Sequence, residues 1–279
     1  MTVNRDWKEE YEGRVAWIRS LVENSGVRGI VFGNSGGKDS ALVGILCKAA
    51  CANTVGIIMP CASKRNYGQD ADDGRALAGR FGIETRVVDL TAVREKELEA
   101  LKGVAEMTDL AVANIAPRLR MTTLYTVAAA EGRLVAGTGN RSETYMGYFT
   151  KWGDGACDFN PISDLTATEV FAFLRYLGAP ASIVEKAPSA GLFDGQTDEQ
   201  EMGVTYRAID EFLTEGTARE EDRAVIERYH ARSEHKRRPI PTYRCAGLRE
   251  AEKVKKSRKV GRFLRFIIAE PALFMVHYR

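Results

Sequence analysis

Eight residues, Gly33-Asn34-Ser35-Gly36-Gly37-Lys38-Asp39-Ser40, join the apolar run at 29–32 to an apolar-periodic stretch at 41–50. A short apolar run, then glycines, then helical periodicity predicts a strand, a tight turn and a helix. Two adjacent glycines let the backbone come close to a ligand, and the helix that follows presents its unpaired N–H groups and positive dipole end to it. Such a turn is built to hold phosphate. Ser35 and Ser40 add hydroxyl donors, whereas Asp39 would repel phosphate unless a divalent cation lay between them. The turn therefore implies a nucleotide with magnesium. Its spacing is neither that of G-x-x-x-x-G-K-[ST] nor that of G-x-G-x-x-G.

The rest of the chain repeats this alternation. Apolar positions Trp7, Tyr11, Val15, Ile18, Leu21 and Val22 recur at helical spacing and predict a leading amphipathic helix that Gly26 ends. Further strands are expected at 27–32, 55–59, 85–90 and 133–136, with helical stretches between them. Strands spaced in this way indicate right-handed crossovers and a doubly wound parallel sheet flanked by helices, an α/β fold with ligands at the carboxyl ends of its strands. Asn114 is expected to cap a helix that tolerates Pro117 in its first turn. The strand at 133–136 leads into Gly137-Thr138-Gly139-Asn140-Arg141-Ser142-Glu143, a second polar turn that could frame one nucleotide with the first. Aromatic residues interleaved with a lysine and an acid at 145–155 suit a lined pocket, and the acidic, turn-rich 194–201 reads as a flap that excludes water.

Bulk properties set limits. A chain of 279 residues can bury a full core, and a net charge of +2 is too small to argue for a polyanion partner. No apolar run reaches 18 residues and the amino-terminal segment lacks a secretory pattern, so a cytoplasmic protein without a membrane span is expected. The five cysteines form no C-x-x-C pair, which argues against zinc and against a disulfide framework; Cys47 and Cys51 read as buried small apolar residues on one helix. Residues 249–265 are basic and read as a solvated helix face rather than as an RNA surface. The chain divides into an α/β domain at 1–245 and a basic, then apolar, extension at 246–279.

Ser-Gly-Gly-x-Asp-Ser after a strand resembles the pyrophosphate loop of the ATP pyrophosphatase superfamily, a Rossmann-like type of fold. With the later motifs added, residues 7–239 resemble ammonia-dependent NAD synthetases. These motifs are Asn114-Ile-Ala-Pro-Arg118-Leu-Arg120-Met121, Gly137-Thr138 through Glu143, Tyr148-Phe-Thr-Lys151-Trp-Gly-Asp154-Gly, Pro188-Ser189-Ala-Gly and Glu234-His235-Lys236-Arg237. The resemblance implies a ligase that forms a C–N amide bond. ATP adenylates the nicotinate carboxylate of deamido-NAD and releases pyrophosphate; ammonia then displaces AMP. No amidase segment precedes the motifs, so ammonia is expected from outside the chain.

Matching position implies that Gly33, Asn34, Ser35, Gly36, Gly37, Lys38, Asp39 and Ser40 hold the ATP phosphates, with Ser35, Lys38 and Asp39 closest to the chemistry. Thr138 and Ser189, the latter where many relatives have threonine, would also contact ATP. Asp39 and Glu143 would bind Mg2+, and Arg118, Lys151, Asp158, His235 and Lys236 would contact deamido-NAD. The family is generally homodimeric, with the dinucleotide site at the subunit interface. One position departs from the pattern: Ala167 stands where relatives carry a lysine that reaches ATP, and Lys38 is expected to take over part of that neutralisation. Two other readings are a pyrophosphate-loop enzyme that adenylates another acceptor, such as a tRNA base, and a non-catalytic nucleotide sensor.

Overall fold

The computed structural model describes residues 5–62, 67–186 and 197–243. The extension at 246–279, Ser189 and Cys245 lie outside the described residues.

Helix α1 (Trp7–Ser25) opens the fold; Asp6 caps it by accepting from the Lys8 and Glu9 amides, and Gly26 ends it in the left-handed conformation. Strand β1 (Gly29–Gly33), helix α2 (Lys38–Ala50), strand β2 (Thr54–Ile58), helix α3 (Gln69–Phe81) and strand β3 (Glu84–Val87) follow in strict alternation. Helices α4 (Thr91–Ala100), α5 (Asp109–Ala113) and α6 (Ile115–Glu131) then lead back to strand β4 (Arg133–Ala136). All pairings are parallel and the order is β3-β2-β1-β4. The chain thus winds outward from β1 in one direction and returns on the other side of it with β4. The carboxyl ends of β1 and β4 flank the point where the order reverses, which is where a doubly wound sheet opens a crevice.

Burial follows that arrangement. The central strands β1 and β2 are almost wholly buried, while the edge strand β3 is not. One apolar layer packs α1 and α2 on one face of the sheet around Phe32, Leu42, Leu46 and Phe173; a second packs α6 on the other face around Val31, Ile57 and Val135. Phe173 belongs to helix α8 (Ala167–Tyr176), which follows helix α7 (Arg141–Met146) and is followed by α9 (Ala181–Val184). A third apolar cluster joins α7 and α8 to α10 (Asp198–Met202), α11 (Tyr206–Glu215) and α12 (Glu220–Arg232), through Met146, Ala167, Met202, Tyr206 and Ile226. Helix α13 (Glu234–Arg237) closes the described chain.

Three local expectations change. Asn114 does not cap α6 with its side chain: its backbone is already helical, because it also ends α5, and its Oδ1 accepts from Thr150 Oγ1 at 2.6 Å. The strand expected at 85–90 ends at Val87. In the segment read as a flap, residues 194–196 lie outside the described residues, but Asp198–Met202 is a helix capped by Thr197, with Asp198 buried. Cys47 is in the core as expected, but Cys51 is only half-buried because it lies at the cap that ends α2; Cys47, Cys51, Cys61 and Cys157 are free thiols.

Candidate active site

A cleft of about 880 Å3 opens at the carboxyl ends of β1 and β4. Its floor is the β1–α2 turn. Gly36 takes φ of +71°, and a Cβ there would lie 2.1 Å from the Asp70 carbonyl oxygen, so only glycine fits. Asn34, buried at the end of β1, donates to the Gly74 carbonyl at 2.9 Å and accepts from the Gly36 amide, which ties the turn to α3. Ser35 and Ser40 pair through their hydroxyls at 3.0 Å, and Ser40 donates to the Gly37 carbonyl. Gly37 sits at the N-cap of α2 with no side chain capping the helix. The first-turn amides of α2 are therefore left to an anion in the cleft.

The second turn supplies the opposite wall. Asn140 caps α7 in a capping box: its Oδ1 accepts from the Glu143 amide at 2.9 Å, and Glu143 Oε2 accepts from the Asn140 amide at 3.1 Å. The side-chain amide of Asn140 also donates to Asp39 Oδ1 at 3.0 Å. One residue therefore orients both carboxylates. Between them lies Lys38, whose Nζ is 2.5 Å from Asp39 Oδ2 and 3.6 Å from Glu143 Oε1, and which packs over the rings of Tyr206 and Phe171. Burial works against the ammonium, but Asp39 and Glu143 more than compensate and hold Lys38 above the usual lysine range. Burial, then the charge of Asp39, pushes the Glu143 carboxyl up to about 8, with Lys38 pulling the other way.

No group of three or more His, Cys, Asp or Glu is arranged for a metal among the described residues. The donor chemistry of Asp39 and Glu143 nevertheless suits a hard divalent ion, since both are carboxylates that approach one cation, the ammonium of Lys38. Ala167, one turn before Phe171 on α8, is fully buried in the apolar cluster that includes Tyr206, so no charge enters the site from that position.

Toward the mouth, Arg118, Lys151, His235 and Lys236 all line the cleft, as do Thr138 and Tyr148. Arg118 donates to the Lys151 carbonyl at 3.4 Å, and Lys151 donates to the His235 carbonyl at 2.8 Å. Lys236 donates to the Gly147 and Phe149 carbonyls at 2.7 and 2.6 Å, and burial lowers its pKa against the pull of Asp154. Gly147, with φ of +66°, lets Ser233 close in, since a Cβ there would lie 2.1 Å from Ser233 Oγ. Asp158 is set apart from the cleft wall: its Oδ2 accepts from the Val135 amide at 2.8 Å and its Oδ1 from the Tyr125 hydroxyl at 3.2 Å.

The cleft also holds groups to which the resemblance gave no role. Asn140 is one, although the Asn-x-x-Glu spacing of a capping box was present in the sequence. Asp198 lines the wall and accepts from the Tyr206 hydroxyl at 3.0 Å. Arg120 donates to the Met59 carbonyl at 3.1 Å, and burial lowers its pKa. Lys186, on the chain after α9, reaches Asp70 and Asp73 on α3; no local pattern announces it.

Residues 10–240 match the family described as NAD synthase. An NH(3)-dependent NAD(+) synthetase of Carboxydothermus hydrogenoformans is 47% identical over 241 residues, which cover 85% of this chain and 97% of that protein. Among solved structures, the NMN synthetase of Francisella tularensis superposes with a TM-score of 0.82 at 37% identity, covering 87% of this chain and 100% of that one. An NH3-dependent NAD synthetase of Campylobacter jejuni superposes with a TM-score of 0.70 at 29% identity, covering 86% and 100%.

Proposed function

The chain belongs to the NAD synthase family, and from that premise we infer that its cleft is the site of an ammonia-dependent NAD synthetase. A nicotinate carboxylate oxygen of deamido-NAD attacks the α-phosphorus of ATP, the bond to the bridging β-phosphate oxygen breaks, and pyrophosphate leaves. Ammonia then attacks the acyl carbon, the bond to the AMP oxygen breaks, and a proton goes to solvent, giving NAD and AMP. Adenylation turns a poor leaving group into a good one, so the protein's part is placement and charge compensation.

The observation that carries this reading is the convergence of two strand-end turns on one pair of carboxylates. The open amides of α2, with Ser35 and Ser40, would hold the β- and γ-phosphates as they depart. Thr138 and Ser189 would contact ATP. Magnesium, when bound, supplies positive charge to the departing pyrophosphate, and Asp39 and Glu143 would hold it. Lys38 would carry the cationic charge next to the phosphates that Ala167 cannot. Arg118, Lys151, His235 and Lys236 would face the phosphates of the dinucleotide, and Asp158, exposed beside Tyr125, would contact the same molecule.

The enzyme would act as a cytoplasmic homodimer; among the described residues no helix is long and apolar enough to cross a membrane. Incubation with ATP, magnesium, ammonia and deamido-NAD tests the reading, with NAD and AMP expected in equal amounts. A second reading is favoured by the higher TM-score of the Francisella NMN synthetase: the acceptor would be the mononucleotide acid, with NMN as product. Parallel assays with the two acids at equal concentration separate the readings by their kcat/KM.

A further inference from the structure

Lys186 has no task in the chemistry above, yet it is a buried cation in the cleft wall. Its ammonium donates to Asp70 Oδ1 at 2.6 Å and to Asp73 Oδ2 at 2.7 Å. The Lys186, Asp70 and Asp73 side chains are 9%, 13% and 7% exposed. Asp70 and Asp73 are three apart on α3 and so share one face of the helix. That face is fixed beside the phosphate turn by two contacts: the Asp70 carbonyl packs against Gly36, and the Gly74 carbonyl accepts from Asn34. Asp70 and Lys186 line the same cleft as Gly37 and Asp39.

The turn thus offers open amides to an anion while α3 brings two carboxylates up beside it. Two desolvated carboxylates would repel both each other and an incoming polyphosphate. We propose that Lys186 is a positioning residue that neutralises Asp70 and Asp73, so that the phosphate turn meets a polyphosphate without opposing charge from α3. The proposal rests on the reading that ATP occupies this cleft. Asp70 and Asp73 set a demand for positive charge, and Lys186 is the cation bonded to both.

The experiment measures ATP binding to the full chain with magnesium by calorimetry, alongside KM and kcat. Lys186→Met is expected to weaken ATP binding by about tenfold or more and to raise the KM for ATP in step, with kcat changing less. Adding Asp70→Asn and Asp73→Asn to Lys186→Met is expected to restore most of the affinity, because the charge that needed neutralising is gone; Lys186→Arg should also retain it. A residue that only pins α3 would show no such rescue. Unchanged affinity in Lys186→Met, or a triple variant as weak as the single one, overturns the proposal. Should Lys186→Met fail to fold, Asp70→Asn/Asp73→Asn with Lys186 intact decides: affinity kept or tightened supports the proposal, and weakened affinity overturns it. A wild-type chain that binds no ATP rejects the reading of the cleft itself, and this proposal with it.

Discussion

The ammonium of Lys38 lies 2.5 Å from a carboxylate oxygen of its own neighbour, Asp39, and reaches Glu143 on the facing turn. The same ammonium lies over the rings of Tyr206 and Phe171, which hold it against both carboxylates. The protein thereby holds its two proposed metal ligands together with a cation of its own.

Removing that cation should leave the carboxylate of Asp39 without its charge partner. Lys38→Met is expected to lose about 3 kcal/mol of stability in metal-free buffer, the scale for breaking a buried ion pair. Magnesium should return part of the loss in the variant and return less in the wild type. Urea unfolding with and without magnesium measures both; equal magnesium effects in the two proteins would contradict the arrangement.

Asn140 aims both carboxylates, and its two functions can be separated. Asn140→Ala removes the helix cap and the donor to Asp39, which should cost about 1 kcal/mol of stability and lower kcat/KM for ATP by about tenfold or more. Asn140→Ser keeps an acceptor for the cap but gives up the amide donor to Asp39. It should be more stable than the alanine variant and lose about as much activity. Thermal unfolding and steady-state kinetics on both variants check the separation.

The Glu143 carboxyl, pushed up to about 8 by burial and by Asp39, makes stability depend on pH. The folded state holds a proton there that the unfolded chain has released above its ordinary value of 4.5. Stability from this group is therefore full below 4.5 and declines as pH rises through about 8. Glu143→Gln removes the titration, so the fall in stability between pH 6 and 9 should be shallower than in the wild type, roughly by one proton's worth of slope. Denaturant unfolding across that range measures it; parallel profiles would contradict the assignment.

Gly36→Ala tests the phosphate turn itself. The substitution strains a left-handed backbone and drives a Cβ into the Asp70 carbonyl, which together should cost about 2 kcal/mol or more. ATP binding should weaken by more than the stability loss explains, because the turn can relieve the clash only by moving away from α3. Calorimetry at a temperature where the variant is fully folded is the measurement.

Local chemistry made much of this legible in advance. The glycine pair and the apolar run before it set the β1–α2 turn, and Glu143 follows a strand that ends beside that turn. Both signals lie within a few residues of what they determine. The strand order does not, since the pairing of β1 with β4 joins residues about a hundred positions apart. Helix α4 buries none of its residues, so it left no apolar periodicity to read. Asn114 carried a strong capping signal that Thr150 overrode, a tertiary hydrogen bond displacing a local one. Lys186 is separated from Asp70 by 116 positions, and only the folded chain makes them one group.

Formation of an acyl adenylate between the two turns is the central step, and exchange of labelled pyrophosphate into ATP reports it directly. With magnesium and without ammonia, exchange should require the nicotinate acid, whether as dinucleotide or mononucleotide, and should be lost in Asp39→Asn. Exchange that proceeds equally well without either acid, or ATP cleaved to ADP and phosphate, would contradict it.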